Sequence, residues 1–449
     1  MSKTMENIKE YLVLMKEKEI KELLAEVPLS ELIELWDSLN EEEELKIFTS
    51  LTIEQKVDLI TSLTLSKQEA LITSLTGEHL KILLAEMDPD DLTDFIQSVS
   101  PEVREAVWTA LGEEAKRETQ FLLKFDEDDA AGLMTPRYLA LRSSLTVAQA
   151  LTWVRKSVAS IETIYYIYIL DQLQRLIGVV SLRDILAAEN EELIENIMVK
   201  NVTSVFDNTD REEAAVILET YDLLALPVVD HYHRLLGIIT FDDIIDVIRE
   251  EQTEDIYKMG AMGGSTDPYL ESSIFALVKK RIPWLIILLM AATITTNVIA
   301  HYQTLLQTAV VLAFFIPIVT GTGGNSGTQS ATLMIRGLAT GEIRFRDLRR
   351  ILIKEILVGT TIGLTLGLLT IGRSMFFPPY ISLDEAAAVG LAMTFVVIIA
   401  TMVGTMAPII IDRLGKDPAV MAGPLMATII DVSGLTIYFE TAKFLLKIN

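Results

Sequence analysis

Apolar and polar positions divide this 449-residue chain into two unlike parts. Up to residue 270, apolar residues recur at helical or strand spacing among many charges. Beyond Lys279 they merge into long runs. Five of these runs are long enough for a hydrocarbon core of about 30 Å. They lie near Ile282–Ala300, Leu305–Ile335, Ile351–Phe377, Ala386–Ile411 and Ala419–Leu446. In the first part, residues 1–125 predict consecutive short helices. Leu51-Thr52, Leu63-Thr64 and Leu75-Thr76 recur about twelve residues apart, which suits a helical superhelix. Residues 134–250 alternate β-rich runs, Tyr165–Asp171 and Ala225–Asp230, with amphipathic helices over Thr146–Lys156 and Thr209–Glu219. A charged helix is expected over Asp242–Met262, leading directly to the first apolar run.

The charge follows the same division. Of 38 Lys+Arg and 63 Asp+Glu, 14 and 10 fall in residues 271–449, leaving 24 and 53 in residues 1–270. So acidic a surface repels phosphates, which argues against nucleic acid as a partner. There is no cysteine, so disulfides, thiolate metal sites and cysteine nucleophiles are excluded. Met1–Tyr11 is charged and lacks an apolar signal core. Basic residues set an orientation for the spans. Lys279, Lys280 and Arg281 precede the first; Arg344, Arg346, Arg349, Arg350 and Lys354 follow the second; Arg413 and Lys416 follow the fourth. All fall on one side, which is therefore cytoplasmic. The N-terminal 270 residues are then inside and the C-terminus outside, in a cell-membrane protein embedded in the lipid bilayer.

Two features inside the apolar runs carry candidate chemistry. Gly321-Thr322-Gly323-Gly324-Asn325-Ser326-Gly327-Thr328-Gln329 lies in the second, and a lone acid, Asp431, in the fifth. A carboxylate at membrane depth normally faces water or a partner. No Lys or Arg lies centrally in any span, so a salt bridge has few candidate partners. Glycines allow close backbone approach and can free carbonyls, and Pro317, Pro408 and Pro424 offer breaks in the helices. Close helix packing is the plainer account of the glycines. Packing alone, however, does not require Asn325, Gln329 and Asp431. Carbonyl, amide and carboxylate oxygens together suit a small hard cation, which implies a cation pathway. Glu440, nearer the outer end, is interfacial. On the charged helix Asp243, Asp246, Glu250 and Glu254 share one face, and four like charges repel unless something neutralises them.

An internal repeat joins Arg175–Ile185, which reads Arg-Leu-Ile-Gly-Val-Val-Ser-Leu-Arg-Asp-Ile, to Arg234–Ile244. Each copy follows a β-rich run and leads into a helix, and Met134-Thr135-Pro136 and Met198-Val199-Lys200 open the two units. This β-α-β-β-α pattern resembles a pair of CBS domains. Such pairs commonly bind adenosine nucleotides, and Ser181–Asp184 and Thr240–Asp243 fit the family's ribose-phosphate contact. A packing module without ligand is the alternative.

The whole order resembles the MgtE family of magnesium channels and transporters, most specifically at Phe125–Pro136, Pro317–Gln329 and Pro418–Asp431. The implied fold is a multidomain membrane protein. It has an all-α superhelical acidic N-terminal domain (1–130), an α/β CBS-domain pair (131–197 and 198–246), a connecting plug helix (247–272) and a five-helix transmembrane domain (273–449). By this resemblance two copies form one pore at their interface. Asp431 and Asn325 line it, Ala427 offers its carbonyl, and Gly423 departs from an Asn of some members, leaving its carbonyl. Cytosolic magnesium would close the pore by bridging acids: Asp90 and Asp94, then Asp210, Glu212 and Asp222, then Asp243, Asp246, Glu251, Glu254 and Asp255. ATP as a regulatory ligand would use Tyr166, Arg183 and Asp184, although Leu223 replaces an aromatic found near the nucleotide. The expected activity is Mg2+ uptake down its electrochemical gradient, not an enzymatic reaction; the sequence holds no Gly-x-x-x-x-Gly-Lys-Ser/Thr. An ion-coupled divalent cation exporter and a membrane sensor that only signals are the rival readings.

Overall fold

The computed structural model describes residues 17–24, 27–36, 38–75, 77–158, 161–263, 269, 272–421 and 423–448. Met1–Tyr11 and Thr76 lie outside the described residues. The chain forms two compact units, Met1–Ile248 and Arg249–Asn449.

The first unit begins with short helices. Glu41–Ser50, Ile53–Ser62 and Leu65–Ser74 each hold ten residues and are joined by Leu-Thr links, which accounts for the twelve-residue recurrence. Leu51 and Leu63 are buried at these links, while Thr52 caps the next helix by accepting from Gln55. Alternate helices pack on one another: Leu29–Trp36 on Ile53–Ser62, that helix on Gly77–Glu86, and Gly77–Glu86 on Pro101–Ala110. Their buried faces share one core running from Ile20 through Trp36, Phe48 and Phe95 to Leu111.

Two three-stranded sheets follow, one per repeat. In the first, β1 (Ala140–Leu141) pairs parallel with β2 (Tyr166–Leu170), which pairs antiparallel with β3 (Leu176–Ser181). β4 (Val205–Phe206), β5 (Ala225–Val229) and β6 (Leu235–Thr240) repeat this order. The repeated glycines, Gly178 and Gly237, are required by close approach: a Cβ on either would overlap Met198 or Met134, the residues that open the two units. The helices Val147–Ser157 and Arg211–Thr220 are capped by Thr146 and Asp210. The charged helix is Phe241–Met259, continuous across residues 246 and 247 where the sequence suggested a domain boundary.

Among the described residues of the second unit, five helices are long and apolar enough to cross a membrane: Ile274–His301, Val310–Ala339, Phe345–Phe376, Leu383–Arg413 and Gly423–Leu446. The first includes Lys279, Lys280 and Arg281 in its opening turns. Of the expected breaks, only the one at Pro317 leaves a mark: the second span passes from a 3-10 segment, Val310–Phe315, to an α-helix at Ile316. Pro317 sits in the first turn of the helix Ile316–Ala339, where its missing N–H has no intrahelical acceptor to lose. That helix runs unbroken through every glycine. Pro408 lies within a continuous helix, and Pro424 stands at the start of the fifth span. The glycines instead bring backbones together. On the third span Gly359, Gly363 and Gly367 recur every four residues against Thr401, Thr394 and Gly390 of the fourth, where the Thr394 hydroxyl donates to the Gly363 carbonyl at 3.0 Å. Gly327 of the second span meets Gly404 of the fourth backbone to backbone.

Candidate ion pathway and acidic clusters

Within the second unit, the glycine-rich segment of the second span packs against residues 427–430 of the fifth. A Cβ built on Gly324 would lie 3.7 Å from that of Ala427, and one on Gly323 would lie 3.1 Å from Ile430 Cγ2. Asn325, Gln329 and Thr332 then stand exposed on the helix side away from this packing, at spacings of four and three residues. Three polar side chains facing lipid would be costly. On the fifth span, which packs against the second, Ala427 and Asp431 are half-buried, one turn apart. Asp431 makes no ion pair among the described residues. Glu440, near the C-terminal end of the fifth span, is exposed and accepts from the Tyr302 hydroxyl at 2.6 Å.

Gly423 opens the fifth span with φ +58°, a conformation that favours glycine. A Cβ there would overlap the carbonyl oxygen of Met259, at the end of the helix Phe241–Met259. Met259 also packs on Ile335 and Ala419. One residue earlier on that helix, Lys258 Nζ lies 2.6 Å from Glu254 Oε1 and 2.7 Å from Asp417 Oδ2. Burial opposes the lysine's charge, but hydrogen bonds to Asp417 and Glu254 outweigh it and raise its pKa. Asp255 is pushed up to about 6 by burial and then by Asp417, with Lys258 acting the other way.

The first unit holds a tighter acidic cluster. Asp90, 8% exposed, lies in the first turn of Pro89–Ser98. Its carboxyl is raised well above its ordinary value by burial and then by the charges of Asp243, Glu162 and Asp91. Glu162 is pushed up to about 8 by burial and then by Asp88 and Asp243. Asp91, which keeps an exposed face, rises to about 6 by burial and through Asp243 and Asp88. Asp243 rises to about 6 by burial, despite accepting from the Thr240 hydroxyl and amide. Arg137 borders the group, 3.0 Å from Glu118 and 3.5 Å from Asp88. Asp90 Oδ1 and Glu162 Oε2 are buried without a hydrogen-bond partner. Buried oxygens of this kind, in excess negative charge, fit a magnesium ion that keeps part of its water shell.

The other expected ligands are more dispersed. Asp94 is exposed on the same helix as Asp90, and Asp246 is exposed one turn after Asp243. Asp210 and Glu212 stand at the start of Arg211–Thr220 and Asp222 beyond its end, about 15 Å apart along ten residues. Glu251 is half-buried beside Glu254 and Asp255. Among the described residues no three acids or histidines are already arranged around one point as a metal site. For the nucleotide residues, Tyr166 of β2 pairs across to Ser181 of β3, which caps the next helix. Ser181 accepts from the Asp184 amide and donates to its carboxylate at 2.6 Å, with Arg183 exposed alongside.

Thr332 of the polar stripe, Lys258, Glu162, Asp417 and Glu355 escaped the sequence reading. Glu162 sits in an irregular stretch between a helix and a strand and belongs to no motif. Asp417 lies in a short loop where an acid is ordinary. Glu355, on the third span, was masked by its neighbour Lys354, which reads as interfacial; a lone acid within an apolar run was the available signal.

Residues 27–128 match the family described as the MgtE intracellular N domain, 194–250 the CBS domain, and 316–441 the family described as MgtE, divalent cation transporter. The magnesium transporter MgtE of Thermus thermophilus is 41% identical over 361 residues, covering 80% of each chain. That of Bacillus subtilis is 34% identical over 357 residues, 80% of this chain and 78% of the other. A crystal structure of the cytosolic domain of the Mg2+ channel MgtE in complex with ATP is similar with a TM-score of 0.52 and 35% identity, covering 54% of this chain and 98% of that one. This multi-pass membrane protein with cytosolic N-terminal domains belongs to the MgtE family of divalent cation transporters.

Proposed function

We propose that two copies of this chain form a magnesium channel, with Mg2+ entering the cell between them and closing its own path when it accumulates inside. The observation that carries the reading is the polar stripe Asn325, Gln329 and Thr332, left exposed on an apolar span whose packed neighbour, the fifth span, carries the half-buried Asp431. A second copy seated on that face would remove these groups from lipid and give the carboxylate a water-filled path. Magnesium sheds water reluctantly and prefers octahedral oxygen ligands. Paired Asp431 carboxylates, Asn325 amides and the carbonyls of Ala427 and Gly423 would therefore hold a largely hydrated ion. The membrane potential drives a divalent ion inward with about 4.6 kcal/mol at 100 mV, twice the single-charge figure. The short C-terminus then lies outside.

Closure follows from the acids. With magnesium scarce, Asp90, Asp91, Glu162 and Asp243 repel one another, as do Glu251, Glu254, Asp255 and Asp417; with magnesium plentiful, ions bridge them. Asp94, Asp210, Glu212, Asp222 and Asp246 extend the acidic surface. Moving a population from mostly open to mostly closed takes about 5.5 kcal/mol of differential binding, which several weak sites can supply together. ATP, seated near Tyr166, Arg183 and Asp184, would tune the CBS pair. The test is Mg2+ flux into proteoliposomes carrying wild type or Asp431→Ala, at several internal Mg2+ concentrations. Wild type should conduct and shut as internal Mg2+ rises, and the variant should lose most flux. Equal flux through both would remove Asp431 from the path.

A further inference from the structure

Glu355 is the one strongly buried carboxylate among the described residues of the spans, 7% exposed in the third. It is not part of the polar stripe. The Ser330 hydroxyl of the second span donates to its Oε2 at 3.0 Å, and Ser330 is itself 5% exposed. Ser330 follows Asn325 by five residues, about 140° around the helix, so Glu355 holds the second span from behind. The surroundings are tight. One turn further along the third span Gly359 packs on Thr401, and Gly327 meets Gly404 backbone to backbone.

The second span needs such a hold. Gly321, Gly323, Gly324 and Gly327 surround Asn325 within one helix, and each glycine weakens a helix by about 1 kcal/mol relative to alanine. For a helix 10–12 Å across, a turn of about 20° about its axis moves a side-chain tip by about 2 Å. That is enough to change which waters of a hydrated ion an Asn325 amide can reach.

We infer that Glu355 is a positioning residue for the ion path, fixing through Ser330 the rotation of the helix that presents Asn325 and Gln329. The inference rests on the channel reading above. Glu355→Gln keeps an acceptor for Ser330, whereas Glu355→Leu and Ser330→Ala each remove the bond. The readout is the ratio of Mg2+ to Co2+ flux in proteoliposomes, alongside the amount of folded protein. Leu at 355 and Ala at 330 should each lower that ratio by about tenfold, equivalent to about 1.4 kcal/mol, while Gln at 355 stays near wild type. An unchanged ratio in Ser330→Ala, with flux falling only as folded protein falls, would overturn it. Gln at 355 behaving as badly as Leu would also overturn it, because charge rather than the hydrogen bond would then be required. If wild type itself carried no ion, the channel reading would fail instead.

Discussion

Met259 and Gly423 meet through their backbones: the Met259 carbonyl oxygen occupies the space that a Cβ on residue 423 would need. The end of the charged helix thereby reaches the opening residue of the fifth span, a candidate ion-path position. The glycine that departs from an Asn of some family members has a local cause in this contact and in its φ of +58°.

Gly423→Ala adds a methyl group into a backbone oxygen and a left-handed strain of about 1–2 kcal/mol. The arrangement with the helix end seated at Gly423 should become unfavourable. Flux through Gly423→Ala should persist at internal Mg2+ concentrations that shut wild type, with the half-closing concentration raised about tenfold or more. Titrating proteoliposome flux against internal Mg2+ checks this. An unshifted curve would mean that the contact plays no part in closure.

Lys258 makes a different prediction. Its ammonium lies between Glu254 and Asp417, at 2.6 and 2.7 Å, so that one positive charge bridges two carboxylates. Lys258→Gln removes one positive charge and leaves Glu254, Asp255 and Asp417 uncompensated. Magnesium should then bind there more tightly. The two pairs are partly exposed and worth about 0.2–1 kcal/mol each, about 0.4–2 kcal/mol together, so the half-closing concentration should fall about two- to thirtyfold. Protease protection of the helix Phe241–Met259 as Mg2+ is added measures this directly. A rise in that concentration would assign Lys258 a tethering role instead.

How far the sequence could be read depended on whether the signal was local. The ten-residue helices follow from Leu-Thr links whose leucines are buried and whose threonines begin the next helix. The doubled sheets follow from a repeat that includes its close-packed glycines. Span placement needed only length and hydropathy. Helix continuity was harder to read, because Pro317 and the glycines after it break helices in water. In a bundle, neighbours such as Gly404 and Ile430 supply the packing that the glycine helix lacks. The site was legible where chemistry was isolated, as at Asp431. It was not where chemistry depends on distant segments meeting: nothing near Glu162 announces Asp90, and nothing near Asp417 announces Lys258.

The Asp90 cluster gives a pH dependence with a definite sign. In the unfolded chain these carboxyls titrate near their ordinary values, about 4. In the folded chain Asp91 and Asp243 sit at about 6 and Glu162 at about 8, with Asp90 raised as well. Raised folded values mean that the unfolded state loses its protons first. The stability lent by the protonated cluster is complete below about pH 4 and is lost as pH rises through about 6 and then about 8. Metal-free protein should therefore melt at a lower temperature at pH 8 than at pH 5.5 in a probe reporting on residues 1–248. Added Mg2+ should close the gap, because it neutralises the same carboxylates. Glu162→Gln removes one repelling charge and leaves an amide that can donate to Asp88 or Asp90. Metal-free Glu162→Gln should gain about 2–4 °C at pH 8, what about 1 kcal/mol gives for a unit of 150–250 residues, and should gain less from Mg2+ than wild type. A melting temperature that is flat from pH 5.5 to 8, or a Glu162→Gln variant that melts earlier when metal-free, would show that these acids are satisfied without a cation.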